Sequence, residues 1–195
     1  VCIALPFVVN YPREYFARAF EFGRVFIFKW SVNWKFLSPE FFTSPQFAAA
    51  LLATHAMLLL AITVGVWSRP FGTFATVLRR GLRSGRQAGP NFLDPDYIIF
   101  IMFSCNLIGI VCARTLHYQF YSWYCHTLPY LMFLKPLPFN SVLGSIALLA
   151  IVEWCWNIFP ATPGSSLVLL AAHAIVLRTL FSVQFPPQPP PIKRD

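Results

Sequence analysis

Acidic side chains are scarce in this chain. Asp and Glu together number 7 against 15 Lys and Arg in 195 residues, and charged residues make up 11% where hydrophobic ones make up 57%. A soluble domain carries about 25% charged residues, so a water-facing shell has too little charge to draw on. The mean hydropathy of +0.59 agrees, and the chain reads as an integral membrane protein. Also missing are a phosphate-cradling glycine loop, G-x-S-x-G, H-E-x-x-H and the Rossmann fingerprint, so nothing marks nucleotide binding or soluble hydrolysis. The five cysteines (Cys2, Cys105, Cys112, Cys125, Cys155) form no C-x-x-C pair and are expected to be buried thiols rather than disulfides or metal ligands. There is no Asn-x-Ser/Thr acceptor, and no internal repeat points to a transporter built from inverted halves. The chain starts at Val1 inside an apolar run, with no initiator Met and no basic region before a cleavage site. It is therefore expected to be the back portion of a longer protein.

What is present is a series of apolar runs. A spanning helix needs about 20 mainly apolar residues, because lipid offers the backbone no hydrogen-bond partner. Gln46–Trp67 is the clearest complete span, followed by Tyr97–Ala113 with Asp94-Pro95 as a helix-entry signal. Ser141–Phe159 and Ser165–Phe185 are separated by the breaker Pro160–Gly164. Ser122–Leu134 spans only if joined to its flanks, with Pro129 and Pro136 against it, and Val1–Val9 reads as the tail of a span. The expected fold is all-α and polytopic, with about five to six transmembrane helices in a single domain over residues 1–185. Arg69, Arg79, Arg80, Arg83 and Arg86 lie in the 69–95 loop without an acid before Asp94. The positive-inside rule places that loop in the cytosol, where it can also meet anionic head groups, and a nucleic-acid partner is not expected. Residues 10–45 and 114–121 then face the other side. The proline-rich tail, 186–195, returns to the cytosol as a stiff polyproline-like end.

Two segments on the non-cytosolic side carry polar chemistry. In 10–45, Asn10 is expected to cap a helix entered at Pro12. Glu14, Arg18 and Glu21 then recur at helical spacing, flanked by Arg13 and Arg24 and opposed by Phe16, Ala19, Phe20, Gly23 and Phe26. That is an amphipathic helix suited to the membrane interface. Lys29, Trp30, Trp34 and Lys35 follow, either as a plain aromatic belt or as groups that bind a lipid-borne phosphate or sugar. The second segment, Arg114 to His126, is dense in hydrogen-bonding aromatics. Arg114, His117, Gln119, Tyr121, Tyr124 and His126 all need polar partners. A pocket for a polar ligand and an interface belt both account for them. His117 and His126 lack a third ligand, so no metal site is expected. Within the spans Glu153 is the only acid, and two readings stand: a functional group partnered by Arg178 or His173, or a structural polar network with Trp154, Trp156 and Asn157.

The stretch CNLIGIVCARTLHYQFYSWYCHTLPYL (Cys105–Leu131) strongly resembles the signature region of the endoplasmic-reticulum α-1,3-mannosyltransferases of asparagine-linked glycosylation. It departs from that pattern in having Cys105, Ala113 and Thr115 where Ser is usual. Tyr15–Leu37 and the Glu153–Asn157 run resemble two further blocks of the same family. The resemblance implies a GT-C-type inverting glycosyltransferase of the endoplasmic-reticulum membrane, this chain being its C-terminal part. Its implied partners are dolichyl-phosphate mannose, Man5GlcNAc2-diphosphodolichol and membrane lipids, with no cofactor. Inversion in one displacement wants a carboxylate base, which in such enzymes lies in a first lumenal loop. The base is thus expected upstream of Val1, and the fragment alone is expected to be inactive. By motif match, Arg114, His117, Tyr118, Gln119, Tyr121, Trp123, Tyr124 and His126 are candidates for donor phosphate or sugar. Glu21, Arg24, Lys29, Trp30, Asn33 and Trp34 are candidates for the other lipid-linked substrate. The competing readings are a membrane transporter, with Glu153 as a relay, and a lipid-handling scaffold.

Overall fold

The computed structural model describes residues 3–19, 27–83, 94–134 and 142–186. Among these the regular structure is helical, with no strand. Helix α4 (Pro45–Ile62) starts where Ser44 accepts from the Phe47 amide at 3.2 Å and Pro45 occupies the first turn, where a missing N–H costs nothing. It runs on through one wider π-type turn, Thr63–Trp67. The 23 residues cover about 34 Å at 1.5 Å each, enough for a hydrocarbon core of about 30 Å. Helix α9 (Pro163–Leu180) opens on a capping box between Thr162 and Ser165. These two are long and apolar enough to cross a membrane, while the apolar α6 (Pro95–Val111) and α8 (Val142–Asn157) have 17 and 16 residues. The expected entry at Asp94-Pro95 is present, with the Asp94 carboxylate accepting from the Asp96 amide at 3.1 Å.

Helices α9, α8 and α6 form the packed centre, joined by the short α7 (Thr127–Leu134). Leu107, Ile108, Leu128, Leu131, Met132, Val152, Leu169, Val176 and Leu180 are buried there. The apolar window of α4 is only 17% buried, against 44% for α9. α4 therefore lies at the periphery, and its Leu52, Met57, Leu60 and Val64 face outward, as a lipid-facing helix requires. Hydroxyls tie the helices where no water would: Trp67 Nε1 donates to Ser104 Oγ at 3.2 Å, and Ser145 Oγ to the Met132 carbonyl at 3.1 Å.

Two expectations change. Ser122–Leu134 is not one long helix. Residues Tyr118–Trp123 form a 3-10 turn, and α7 has eight residues, about 12 Å, too short to cross alone. Pro129 sits in its first turn and is tolerated there. In the described part of residues 1–9, the short α1 (Leu5–Asn10) has no buried residue. Asn10 ends α1 rather than capping α2 (Pro12–Ala19), and its amide nitrogen donates back to the Pro6 carbonyl at 2.8 Å.

The bundle has two distinct ends. At one, here the aromatic end, residues 113–126, the C-terminus of α8, the N-terminus of α9 and residues 31–37 converge. At the other, the basic end, Trp67, Tyr97 and Phe185 meet, beside the Arg69–Phe71 turn and α5 (Phe74–Arg83).

Candidate functional site at the aromatic end

The two polar segments that the sequence separates by about eighty residues are stitched together. Asn33 is the knot. Its Oδ1 accepts from the Leu116 amide at 3.0 Å and the Ser31 hydroxyl at 2.6 Å, while its Nδ2 donates to the Ala113 carbonyl at 2.7 Å. Three of the four hydrogen bonds that its amide can make are thus made to protein. The Val32 amide adds a bond to the Leu116 carbonyl at 2.7 Å. Trp34 follows with φ of 60°, an unusual left-handed conformation for a bulky residue. Its indole N–H donates to the same Ala113 carbonyl at 3.1 Å, and its ring meets Phe47 edge-on at 5.4 Å. Immediately after it, the Lys35 amide donates to Ser166 Oγ at 3.0 Å on α9.

Lys35 is also spoken for. Its ammonium donates to the Phe28 carbonyl at 2.6 Å and the Lys29 carbonyl at 3.0 Å, and lies 4.4 Å from the Phe28 ring centre. Removal from water lowers its pKa below the usual lysine value. The neighbouring Lys29 sits 5.3 Å from the Trp30 ring, and both side chains are exposed. Glu21 and Arg24 lie outside the described residues.

A second network holds the aromatic turn to α8 and α9. Tyr124 is buried, its hydroxyl accepting from Trp156 Nε1 at 2.6 Å and sharing a hydrogen bond with His173 Nε2 at 2.9 Å. Tyr121 stacks on Trp156 at 5.2 Å and donates its hydroxyl proton to the Glu153 carboxylate. The other carboxylate oxygen accepts from Asn157 Nδ2 at 3.0 Å. Burial, and for Tyr121 also the adjacent Glu153, pushes both phenols well above the ordinary tyrosine pKa, so they act as donors and acceptors but not as phenolates. Tyr118 donates to the Ile158 carbonyl at 2.6 Å, and burial raises its pKa too. Glu153 thus has Tyr121 and Asn157 as partners, which fits the reading of a structural network with Asn157 and not the one with Arg178 or His173. It sits in the last turns of α8, where the rim group Tyr121 reaches it first. His173 is taken by Tyr124 instead.

The remaining candidates point elsewhere. Gln119, Trp123 and His126 are exposed. Trp123 packs on Phe120 at 4.4 Å, and His126 meets Phe103 edge-on at 5.9 Å. His117 is half-buried beside Phe120, and half-buried Arg114 has its pKa lowered by desolvation. The site therefore divides into a locked layer (Asn33, Trp34, Tyr118, Tyr121, Tyr124) and an accessible one (Lys29, Trp30, Gln119, Trp123, His126), with Arg114 and His117 between. Sequence reasoning passed over Ser166 and Asn106 as anchors; Asn106 Nδ2 holds the Trp123 carbonyl at 2.9 Å. The available signal was a polar residue on an otherwise apolar helical stripe. Between Asn33, Trp34, Leu116, Ser166 and His173 only a narrow gap remains, with room for about one water. Among the described residues no three His, Cys, Asp or Glu side chains gather as a metal cluster, and Cys105, Cys112, Cys125 and Cys155 are free thiols.

Comparison with known proteins bears on this arrangement. The chain is 41% identical over 181 residues to the mouse Dol-P-Man:Man(5)GlcNAc(2)-PP-Dol alpha-1,3-mannosyltransferase, covering 93% of this chain and 41% of the mouse protein. Proteins of the same name match from Arabidopsis thaliana (41% over 186 residues, 91% of this chain, 42% of that protein) and human (40% over 191 residues, 98% and 42%). The chain spans about two fifths of the length of these relatives. No solved structure matches it. The family model described as ALG3 protein matches residues 1–166, which include both stitched segments and the Glu153 turn, and the chain belongs to that family.

Proposed function

We propose that this chain forms part of an α-1,3-mannosyltransferase that moves mannose from dolichyl-phosphate mannose to Man5GlcNAc2-diphosphodolichol, the reaction in its relatives' name. The observation that carries the reading is the convergence at one end of the bundle. The two segments with family-like blocks are joined through Asn33, and the third block is joined through Tyr121 and Glu153. On this reading the protein is a multi-pass GT-C-type enzyme of the endoplasmic-reticulum membrane, with five to six spans including α4, α6, α8 and α9. The aromatic end faces the lumen, and the arginine-rich loop faces the cytosol.

The division into layers assigns roles. Arg114 and His117, with Gln119, Trp123 and His126, face the phosphate and sugar of the donor: cations offset phosphate charge, and indole faces pack on sugar C–H groups. Lys29 and Trp30, with Glu21 and Arg24 in the sequence before them, serve the second lipid-linked substrate. Asn33, Trp34, Tyr118, Tyr121 and Tyr124 position those groups. Glu153, held by two donors, acts as an orienting acceptor for Tyr121 rather than as the base.

The test uses the full-length protein in microsomes, with labelled dolichyl-phosphate mannose and the five-mannose acceptor. Alanine at Arg114, His117 and Gln119 is expected to lower transfer at least about 100-fold, the scale of losing positioned polar groups. Undiminished transfer would overturn the site assignment. An unaltered five-mannose pool on deletion of the gene would overturn the activity itself and favour the transporter or scaffold.

A further inference from the structure

The basic end carries a helix for which mannosyl transfer has no use. Gly72 holds φ of 107°, a left-handed turn that redirects the chain at the foot of α4. Thr73 then caps α5, its hydroxyl oxygen accepting from the Thr76 amide at 3.2 Å. Along α5, Phe74, Leu78 and Leu82 recur at four-residue steps and are 37%, 52% and 79% exposed. At 100° per residue, Val77 and Gly81 widen that stripe, while the positions of Arg79, Arg80 and Arg83 fall on the opposite arc. Nothing acidic occurs from Ser68 to Leu93. The helix packs chiefly on the Arg69–Phe71 turn that follows α4.

A stripe of this kind gains by leaving water, and two features say what covers it. The helix is tethered directly to the end of the lipid-facing α4, so bilayer is the nearest apolar phase. Its other arc is cationic with no acid in the surrounding sequence, Ser68–Leu93, which complements an anionic head-group layer. We infer that α5 lies in the plane of the leaflet at the basic end, with Phe74, Leu78 and Leu82 among the acyl chains and its arginines on the head groups of anionic phospholipids. The inference depends on α4 being a span and is independent of the transfer reaction.

Spin labels on the full-length protein test it, in a background with the native cysteines replaced by alanine. Vesicles are pure phosphatidylcholine or a mixture with phosphatidylserine. In the mixed vesicles, labels at Leu78→Cys and Leu82→Cys are expected to be accessible to oxygen and shielded from a water-soluble nickel chelate, and a label at Arg79→Cys the reverse. Each charge removed among Arg79, Arg80 and Arg83 (to Gln) is expected to lower the ratio of seated to lifted helix about fivefold. A label at Leu60→Cys in α4 is the control. If the α5 labels meet the chelate while Leu60 does not, the inference is overturned and the span stands. If Leu60 meets it as well, span and inference fall together. Equal seating in both kinds of vesicle would overturn the anionic-lipid commitment, and shielding from both oxygen and chelate would mean that protein, not lipid, covers the stripe.

Discussion

The two ends of this bundle hold their polar groups in opposite ways. At the aromatic end Asn33, Tyr121, Tyr124, Trp156, Glu153 and His173 are bonded to one another or to backbone across four elements. Specificity there is built from pairings that allow little movement. At the basic end Tyr97 still reaches across to the Trp67 carbonyl, but α5 with its arginine positions packs chiefly on one turn, and its described side-chain bonds are local, such as the Thr73–Thr76 cap. One end is designed to hold a shape and the other to meet a medium. The difference teaches that abundance of polar residues is a poor guide to role, whereas the distance in sequence between their partners is a good one.

Substitutions that break the contrast should differ by an order of magnitude in effect. Asn33→Ala is expected to be the most damaging. It strands the buried Leu116 amide, where an unsatisfied group costs about 1–3 kcal/mol, and it takes one of two partners from the Ala113 carbonyl and from the Ser31 hydroxyl. A large fall in the thermal midpoint of the detergent-solubilised protein, with loss of transfer, is the expected readout; an unchanged midpoint would show that the two segments are not joined through Asn33. Next comes Tyr124→Phe, which leaves Trp156 Nε1 and His173 without their partner and should cost about 2–3 kcal/mol in the same melt. A smaller loss would mean that water replaces the hydroxyl.

Glu153→Gln sharpens the comparison rather than breaking it. The amide keeps an acceptor for Tyr121 but turns an NH2 toward Asn157, which retains the Glu153 backbone carbonyl, and loses the charge-assisted character of the Tyr121 bond, worth about 1 kcal/mol. Stability should change little and kcat more than KM, while Glu153→Ala should lower both. Trp123→Ala, at a side chain 60% exposed, is expected to leave the melt within about 0.5 kcal/mol and to weaken substrate use alone. Arg79→Gln at the basic end is the smallest: no change in transfer, and a melt within the same about 0.5 kcal/mol. A destabilisation as large as that of Asn33→Ala would erase the distinction between the ends.

Much of the frame was legible in the sequence. The Gln46–Trp67 run foretold α4 together with its π-type turn, Pro45–Trp67, to within a residue, Asp94-Pro95 marked the start of α6, and Pro160–Gly164 marked the break before α9. Length and hydropathy decide such features locally. The short α7 was harder, because its flanking aromatics are apolar enough to count as span yet fold into a 3-10 turn. The joining of residues 31–35 to 113–116 had no sequence signal at all, since a side-chain amide bonding backbone eighty residues away leaves no periodicity. The same holds for Glu153: its helix was readable, but whether Tyr121, Arg178 or His173 would face it depended on how α8 and the turn are rotated. Membership of both segments in one site was legible only through resemblance.

Trp34 carries a consequence of its own. A bulky residue at φ of 60° costs roughly 1–2 kcal/mol that an extended backbone would not. The reversal lets Asn33 reach the 113–116 strap while Lys35 reaches Ser166 on α9. The two attachments together offset that strain, so this one peptide couples the strap to the helix. Weakening either is expected to loosen the other and to let the groups that Lys29 and Trp30 present drift from those on the aromatic turn without any of them having changed.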